Sequence, residues 1–331
     1  MSKFLIAASV LTVLGPIAAI HAGLDPVAHA QSDAQSESKE KPVTSSVAAI
    51  DDTLLEKPSQ ARDRKLYELA VALFKSIEAG LEKDVDHARA VMARVLREAA
   101  QGGVPEAWID YGRCLWNGWG VTEDREAALA AYKTAAARGA DYGNYLAGYN
   151  LYWTFKRYDE AHAYALKALK DDPGGDTRYL LGLMAYDGRG RPKDVTESAR
   201  LHREAAERGN PDAMFELLVF AMNGIGDRSK AVFYLQEAAK REQPRAMANL
   251  GALYATGRMA GIARDPKESV RWYRRAADKG IGRAAAALGV MALRGDGMPK
   301  DPEAAKAFFA RAEELGFDLD QYLDQVGMTR P

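Results

Sequence analysis

Residues 107–139 read AWIDYGRCLWNGWGVTEDREAALAAYKTAAARG, and this stretch decides the fold because its layout returns along the chain. Each copy begins with a helix of small and apolar residues, breaks at a glycine-rich loop and ends with a second helix. One first-helix position, which we call the anchor, recurs at intervals of 33 to 38 residues. A period of this length built from two helices is typical of an α-solenoid. The anchors are Gly112, Gly148, Gly182, Leu218, Gly251 and Gly289.

The second helices repeat with the same period. Most end in two alanines followed within three residues by a glycine, as in Ala135-Ala136-Ala137-Arg138-Gly139. A glycine suits the left-handed residue that ends a helix. Three residues before the tail stands a bulky residue, which predicts a packing position repeated in register. These bulky residues are Leu96, Tyr132, His202, Leu235, Tyr273 and Phe309.

The loop between the two helices carries Gly-x-Gly in several copies, such as Gly118-Trp119-Gly120 and Gly295-Asp296-Gly297. The same pattern between a strand and a helix can cradle a phosphate. Here the preceding element is a predicted helix and the pattern recurs in register. The sequence therefore favours a helix-to-helix turn that needs positive φ.

These features resemble the Sel1-like repeat family of the tetratricopeptide superfamily. The resemblance rests on Tyr111-Gly112, Gly118-Trp119-Gly120, Asp124 and the Ala135–Gly139 tail, and it covers about residues 62–320. The segment from Tyr158 to Pro173 is closer to an ordinary tetratricopeptide unit. The resemblance implies an all-α, right-handed α-solenoid of about six to seven helix-turn-helix repeats. It also implies an adaptor that binds a protein or peptide partner.

The N-terminus predicts export. A charged Lys3 precedes the uncharged stretch 4–20, and Ala28-His29-Ala30 offers a cleavage site, the layout of a signal peptide over residues 1–30. An uncleaved membrane anchor is the alternative interpretation. The polar residues 31–60 predict a flexible linker. Residues 61–331 form the predicted solenoid, closed by a capping helix within 317–326, with no membrane span expected after cleavage.

Composition and rare residues argue against several classes of function. The formal net charge of −1 lacks the basic excess that drives nucleic-acid binding, so no nucleic acid is expected. The single Cys114 cannot form an internal disulfide and is predicted to be buried. His87, His162 and His202 fall at different offsets in their helices, which predicts no metal site. We interpret His202, at the bulky position, as a core residue.

An enzyme is not expected. Cysteine-rich members of the family have been discussed as penicillin-binding or β-lactamase-like proteins, but this chain lacks those cysteines. Neither Ser76 nor Ser198 starts a Ser-x-x-Lys motif. We therefore expect neither catalytic residues nor cofactors.

Aromatic residues are concentrated between residues 142 and 158, and four tyrosines there are spaced for one helical face. With Gly148 as the anchor, superfamily geometry places this face on the inner, concave surface, where rings bind partners by stacking. With Tyr149 as the anchor, much of the cluster is core instead, and both interpretations remain open. The candidate binding residues are Trp116, Tyr142, Tyr145, Tyr149, Tyr152, Trp153, Tyr179, Tyr186 and Phe215.

The sequence as a whole predicts a periplasmic or secreted, non-catalytic adaptor. What the resemblance implies is regulation of an envelope process such as exopolysaccharide production, secretion or sensor signalling. A secreted factor acting on a host cell is one alternative. An envelope hydrolase or carbohydrate-binding accessory protein is another.

Overall fold

The computed structural model describes residues 46–54, 56–225, 228–258 and 261–330. Within these ranges the chain is helical and contains no β-strand, and a short 3₁₀ turn at Arg228–Lys230 precedes α11. The helices are α1 (Ser46–Leu54), α2 (Gln60–Glu78), α3 (Val85–Gln101), α4 (Pro105–Asn117), α5 (Arg125–Ala137), α6 (Tyr142–Trp153), α7 (Tyr158–Ala168), α8 (Asp176–Asp187), α9 (Val195–Glu207), α10 (Pro211–Met222), α11 (Ala231–Lys240), α12 (Pro244–Thr256), α13 (Pro266–Asp278), α14 (Gly282–Arg294), α15 (Pro302–Glu314) and α16 (Leu319–Gln325).

From α2 to α15 the helices follow one another as consecutive first and second helices, which confirms the predicted solenoid of helical repeats. The chain forms two compact units. The first comprises the described residues up to Asp172 together with Met184–Lys193. The second comprises Pro173–Leu183 and the described residues from Asp194 onward, so the boundary falls within α8.

Side-chain caps fix where many of the helices begin. The second helices α5 and α9 follow Asp124 and Asp194, whose carboxylates accept hydrogen bonds from the backbone amides of Ala127 and Glu197. Such a cap satisfies a donor that the first helical turn leaves open. The first helices α10 and α12 each begin with proline after a capping amide side chain, Asn210 and Gln243 respectively. Proline suits this position because its missing N–H has no intrahelical acceptor there.

Anchor glycines and bulky residues pack against each other within the helix pairs. A Cβ atom on Gly112 would lie 2.6 Å from the ring of Tyr132, and one on Gly251 would lie 2.9 Å from the ring of Tyr273. The same relation joins Gly182 to His202 at 2.6 Å. Because glycine has no side chain, each ring packs directly against the backbone of the first helix. The anchor glycines and the bulky second-helix residues, which recur separately in the sequence, are thus the two sides of one contact.

The Gly-x-Gly loops are helix-to-helix turns, as predicted. Gly118 ends α4 in the left-handed conformation with φ 67°. Gly120 also has positive φ, and a Cβ atom on it would lie 2.2 Å from the carbonyl oxygen of Arg89 in the preceding second helix. The first glycine of the loop therefore ends the helix, and the second packs against the backbone of the preceding helix pair.

Both ends of the described chain differ from plain repeats. The predicted linker extends to residue 60, yet residues 46–54 form α1, whose Ile50 is fully buried in the core of the first unit. Ile50 and the partly buried Leu54 give α1 a packing face, which the polar composition of the whole linker concealed. At the other end, α16 lies within the segment predicted to cap the last pair and buries Leu319 and Leu323. The predicted signal peptide lies outside the described residues.

No helix in the described ranges is both long enough and apolar enough to cross a bilayer.

Candidate functional site

An open cleft of about 360 Å³ lies in the first unit and is lined mainly by apolar side chains of α2, α3 and α4. Its walls and floor include several side chains that the repeat pattern did not single out. We call it the α2–α4 cleft. Its lining residues are Tyr67, Ala70, Val71, Phe74, Met92, Leu96, Glu106, Ile109, Asp110, Arg113, Cys114, Trp119 and Tyr142.

One end of the cleft holds a polar cluster that joins α2 to α4. Tyr67 donates a hydrogen bond from Oη to Oδ2 of Asp110 at 3.0 Å, and Arg113 donates from Nη1 to Oδ1 at 2.7 Å. Burial raises the pKa of Asp110 above its usual value, although the Arg113 charge and the Tyr67 hydrogen bond act to lower it. The cluster thus places fixed donors and a poorly solvated acceptor beside an apolar wall.

Two further aromatic rings, Phe74 and Trp119, form part of the lining. Phe74 and Trp119 contact each other with ring centroids 5.9 Å apart, and the Arg89 guanidinium lies 5.8 Å from the Trp119 ring. Cys114 is buried in α4, as predicted, and burial raises the pKa of its thiol to about 12. At neutral pH the sulfur therefore carries its proton and acts as an apolar surface.

The aromatic residues of α6 extend from the cleft as a continuous row. Tyr142 lines the cleft, and Tyr145 follows with ring centroids 5.5 Å apart. Tyr149 lies 5.9 Å from Tyr145, and Trp153 lies 6.3 Å from Tyr149. Three of the four tyrosines predicted to share a face lie in this row, with Trp153 in the place expected for Tyr152, and we call these four side chains the aromatic row.

The structure settles which residue of α6 is the anchor. A Cβ atom on Gly148 would lie 3.2 Å from the carbonyl oxygen of Ala161 and from the amide nitrogen of Ala165, so Gly148 packs against α7. Tyr149 is half-buried on the neighbouring position. The Gly148 register is therefore correct, yet Tyr145 and Tyr152 are buried, as the Tyr149 register predicted.

Three of the predicted binding residues are core residues, which corrects the expectation that they present rings to a partner. Tyr152 is 1 % exposed and donates a hydrogen bond to Asp187 at 2.9 Å. Phe215 in the second unit is also 1 % exposed, beneath the guanidinium of Arg245. Tyr145 is buried within the aromatic row. Core packing holds these rings because each helix is covered by its neighbours on more than one side.

The other predicted binding residues are half-buried and lie in different places. Tyr142, Tyr149 and Trp153 belong to the aromatic row. In the first unit, Trp116 lies under the Arg125 guanidinium at 5.3 Å and Tyr186 lies under Lys193 at 5.2 Å. In the second unit, Tyr179 contacts the ring of His202 at 5.5 Å. Only Tyr142 of the nine lines the cleft.

The sequence interpretation missed Tyr67, Phe74 and Asp110, which shape the cleft. The repeat pattern carried no clear signal for Asp110. It stands two residues before its anchor, where α6 and α8 carry Leu146 and Leu180 but α10 and α12 carry Glu216 and Asn249, so a polar residue at this position is not exceptional.

Within the described part of the chain, no three His, Cys, Asp or Glu side chains are grouped closely enough to hold a metal ion. His202 is buried, as predicted, and burial lowers its pKa to about 3. A neutral imidazole enclosed by Gly182 and Phe220 serves packing.

The helix pairs, their anchor contacts and their loops agree with a known repeat. The profile of the Sel1 repeat matches residues 105–139, 176–210, 211–242, 244–281 and 282–317. The chain belongs to the Sel1 repeat family. Sel1 repeat proteins are generally protein-interaction scaffolds. The matches leave out 140–175, which contains the segment that resembled an ordinary tetratricopeptide unit.

Similar proteins come from bacteria and yeast. An uncharacterized protein of Neisseria meningitidis serogroup B, NMB1327, is 28 % identical over 222 residues, which are 66 % of this chain and 45 % of that protein. Chitin synthase regulatory factor 3 of Schizosaccharomyces pombe is 25 % identical over 236 residues, 66 % of this chain and 25 % of that protein. The chain thus spans less than half the length of these curated relatives.

A Sel1 repeat protein from Oxalobacter formigenes has a similar crystal structure, with a TM-score of 0.56 and 24 % identity. The similarity covers 88 % of this chain and 98 % of that one. At this identity the likeness concerns the fold.

Proposed function

We propose that this Sel1 repeat protein is a non-catalytic adaptor and that the α2–α4 cleft receives an apolar side chain of a partner protein. The observation that supports this proposal is the combination of an apolar lining with the hydrogen-bonded polar cluster of Tyr67, Asp110 and Arg113. Burying a large aliphatic side chain in such a cleft stabilises a complex by about 1.5–3 kcal/mol. The polar cluster then offers donors and an acceptor to the partner's backbone.

The aromatic row enlarges the proposed interface. Tyr142 is shared between the row and the cleft, and Tyr149 and Trp153 keep part of their rings accessible. Large rigid rings beside a pocket are typical of the centres of protein interfaces. A partner segment that fills the cleft can therefore continue across α6.

Site-specific crosslinking in the native cell tests this proposal. A photoreactive phenylalanine at Val71, inside the cleft, should give a discrete adduct, and the same group at the exposed Leu81 should not. The partner identified in this way should then bind the purified protein, with at least a tenfold loss for Val71→Glu and none for Leu81→Glu. Equal adducts at the two positions, or equal binding by the two variants, would exclude the cleft as the site.

We also propose that the adaptor acts outside the cytoplasm and regulates an envelope process such as exopolysaccharide production, secretion or sensor signalling. The support for export is the layout of Lys3, the uncharged stretch 4–20 and Ala30. The support for regulation is the name of one relative, chitin synthase regulatory factor 3. The similarity to this chain extends over 25 % of that protein.

Cell fractionation followed by N-terminal sequencing tests the location. The expected result is a mature protein in the envelope or medium that begins near Gln31. Intact Met1 on cytosolic protein would refute export, whereas intact Met1 on membrane-bound protein would support the uncleaved anchor.

A further inference from the structure

The second unit has a hollow of about 530 Å³ between α9, α10 and α11. We call it the Phe233 hollow. Its residues belong to the second unit, so it is separate from the α2–α4 cleft of the first. It is lined by Arg203, Ala206, Glu207, Met214, Leu217, Lys230, Phe233, Tyr234, Glu237 and Arg241.

Phe233 presents an unusual amount of apolar surface to solvent. It is 57 % exposed, and among the large apolar side chains of the described residues only Leu81 and Leu166 are similarly exposed. The helical period explains this placement, because α11 turns Ala231, Leu235 and Ala238 into the core and leaves Phe233 outside. Its ring contacts Tyr234 at 5.7 Å. The protein's own packing therefore gives Phe233 no core role.

The floor of the hollow is apolar and firmly held. Met214 and Leu217 of α10 line it from below, and both are otherwise buried in the core. Ala206 of α9 adds a small side chain beside them. An apolar group that entered the hollow would contact Phe233 on one side and this floor on the other.

The rim of the hollow carries two exposed arginines. Within the described part of the chain, the guanidinium groups of Arg203 and Arg241 make no hydrogen bond or ion pair. Glu237 is already engaged, because Lys240 donates to its carboxylate at 2.7 Å, and this hydrogen bond together with the charges of Lys240 and Arg241 holds the pKa of Glu237 below its usual value. With Lys230 and Glu207 included, the lining carries three basic and two acidic side chains, a net charge of +1 in a chain whose formal net charge is −1.

We infer that the Phe233 hollow is a second docking surface and that its occupant is an acidic protein segment bearing an apolar side chain. The apolar side chain lies against Phe233, Met214 and Leu217. Carboxylates of the same segment pair with Arg203 and Arg241, whose planar guanidinium groups match a carboxylate in a bidentate manner. A flat anionic membrane could meet the arginines, but a side chain fills a concave hollow of this size better.

Two fluorescein-labelled, 14-residue helical peptides test the inference by fluorescence anisotropy. Both carry leucines at i, i+3, i+7 and i+10, and the remaining charged positions are all glutamate in one peptide and all lysine in the other. The glutamate peptide should bind at least tenfold more tightly than the lysine peptide, and its affinity should fall as salt is raised.

Phe233→Ala should weaken binding of the glutamate peptide about tenfold or more, since exposed aromatics at interface centres carry much of the affinity. Its melting temperature should match that of the parent protein because the side chain lies outside the core. Leu166→Ala, which removes a 49 % exposed leucine in the first unit, is the matched control and should bind as the parent does.

The double variant Arg203→Glu with Arg241→Glu should reverse the preference toward the lysine peptide. Arg271→Glu, at an exposed position on α13 of the same unit, should leave the preference unchanged. Equal binding of the two peptides, no binding of either, or an affinity insensitive to Phe233→Ala would overturn the inference. Binding of phosphatidylglycerol vesicles that depends on Phe233, without binding of the glutamate peptide, would overturn it in favour of a membrane. Val71→Glu should not affect any of these results, so they stand apart from the proposal for the α2–α4 cleft.

Discussion

A Cβ atom on Gly289 would lie 2.3 Å from Cε1 of Phe309, so the phenyl ring occupies the space that a side chain at position 289 would need. Phe309 is buried and belongs to α15, the second helix of the same pair. The ring and the missing side chain therefore set how closely these two helices approach. In the pair of α10 and α11, Leu218 and Leu235 replace the glycine and the ring, and both are buried.

Gly289→Ala should destabilise the protein by about 1–3 kcal/mol, because the new methyl group overpacks the Phe309 ring. Helix propensity alone predicts the opposite sign, since alanine in a helix interior is favoured over glycine by about 1 kcal/mol. Urea denaturation of the purified variant decides between the two. Adding Phe309→Leu, which imitates the Leu235 position, should recover part of the loss. A single variant more stable than the parent would contradict the packing argument.

His202 should make the folded protein sensitive to acid. Burial lowers its pKa to about 3, while the unfolded chain binds the proton with a pKa near 6.5. Below pH 6.5 the unfolded state therefore holds more protons, and stability falls by about 1.4 kcal/mol per pH unit until the folded pKa is reached. His202→Phe should lose less stability than the parent between pH 7 and pH 5. Parallel stability curves for the two proteins would show that His202 does not titrate on unfolding.

Tyr149 and Tyr152 should differ in how much stability they lose on truncation to alanine. Tyr152→Ala empties a buried site and should cost about 3–5 kcal/mol, whereas Tyr149→Ala removes a half-buried ring and should cost clearly less. Tyr152→Phe keeps the ring and loses the hydrogen bond to Asp187, for about 1 kcal/mol. Thermal melts of the three variants measure the order. A larger loss for Tyr149→Ala than for Tyr152→Ala would reverse the assignment of core and surface.

Glu242 should contribute to stability only while it is charged. Lys279 donates to its carboxylate at 2.9 Å, and this hydrogen bond and charge hold the pKa of Glu242 below its usual value. The contribution is therefore present above the unfolded pKa and is lost as pH falls through the folded pKa. Glu242→Gln should cost no more than about 1 kcal/mol at pH 7, as is typical of exposed pairs, and progressively less as the pH is lowered through the folded pKa. A cost that stays the same in acid or in 1 M salt would point to a cause other than charge.

The sequence contained most of the fold because each helix pair is specified by local, repeated chemistry. Gly251 and Tyr273 are 22 positions apart in the printed sequence and recur in register, so their contact could be inferred from the pattern. His202 was recognised as a core residue because it occupies the position of Tyr273 and Phe309. Residues that share a register position share an environment.

The α2–α4 cleft could not be found in this way. Tyr67 and Asp110 are separated by 43 residues, and Tyr67 lies in α2, outside the five matched repeats. The aromatic row shows a second limit, because Tyr145 and Tyr149 share a helical face yet differ in burial. The period of a helix assigns a face, but the covering helices decide how much of that face remains accessible.

The matching caps before α10 and α12 make the pair between them removable in principle. Asn210 and Gln243 accept hydrogen bonds from the amides of Ala213 and Ala246 respectively, and each is followed by proline. Joining Asn210 directly to Pro244 would therefore recreate an equivalent start for α12. We expect a chain shortened in this way to melt cooperatively, as circular dichroism would record. Repeat number in this protein would then be free to change by whole pairs, so that relatives could gain or lose a docking surface in a single genetic step.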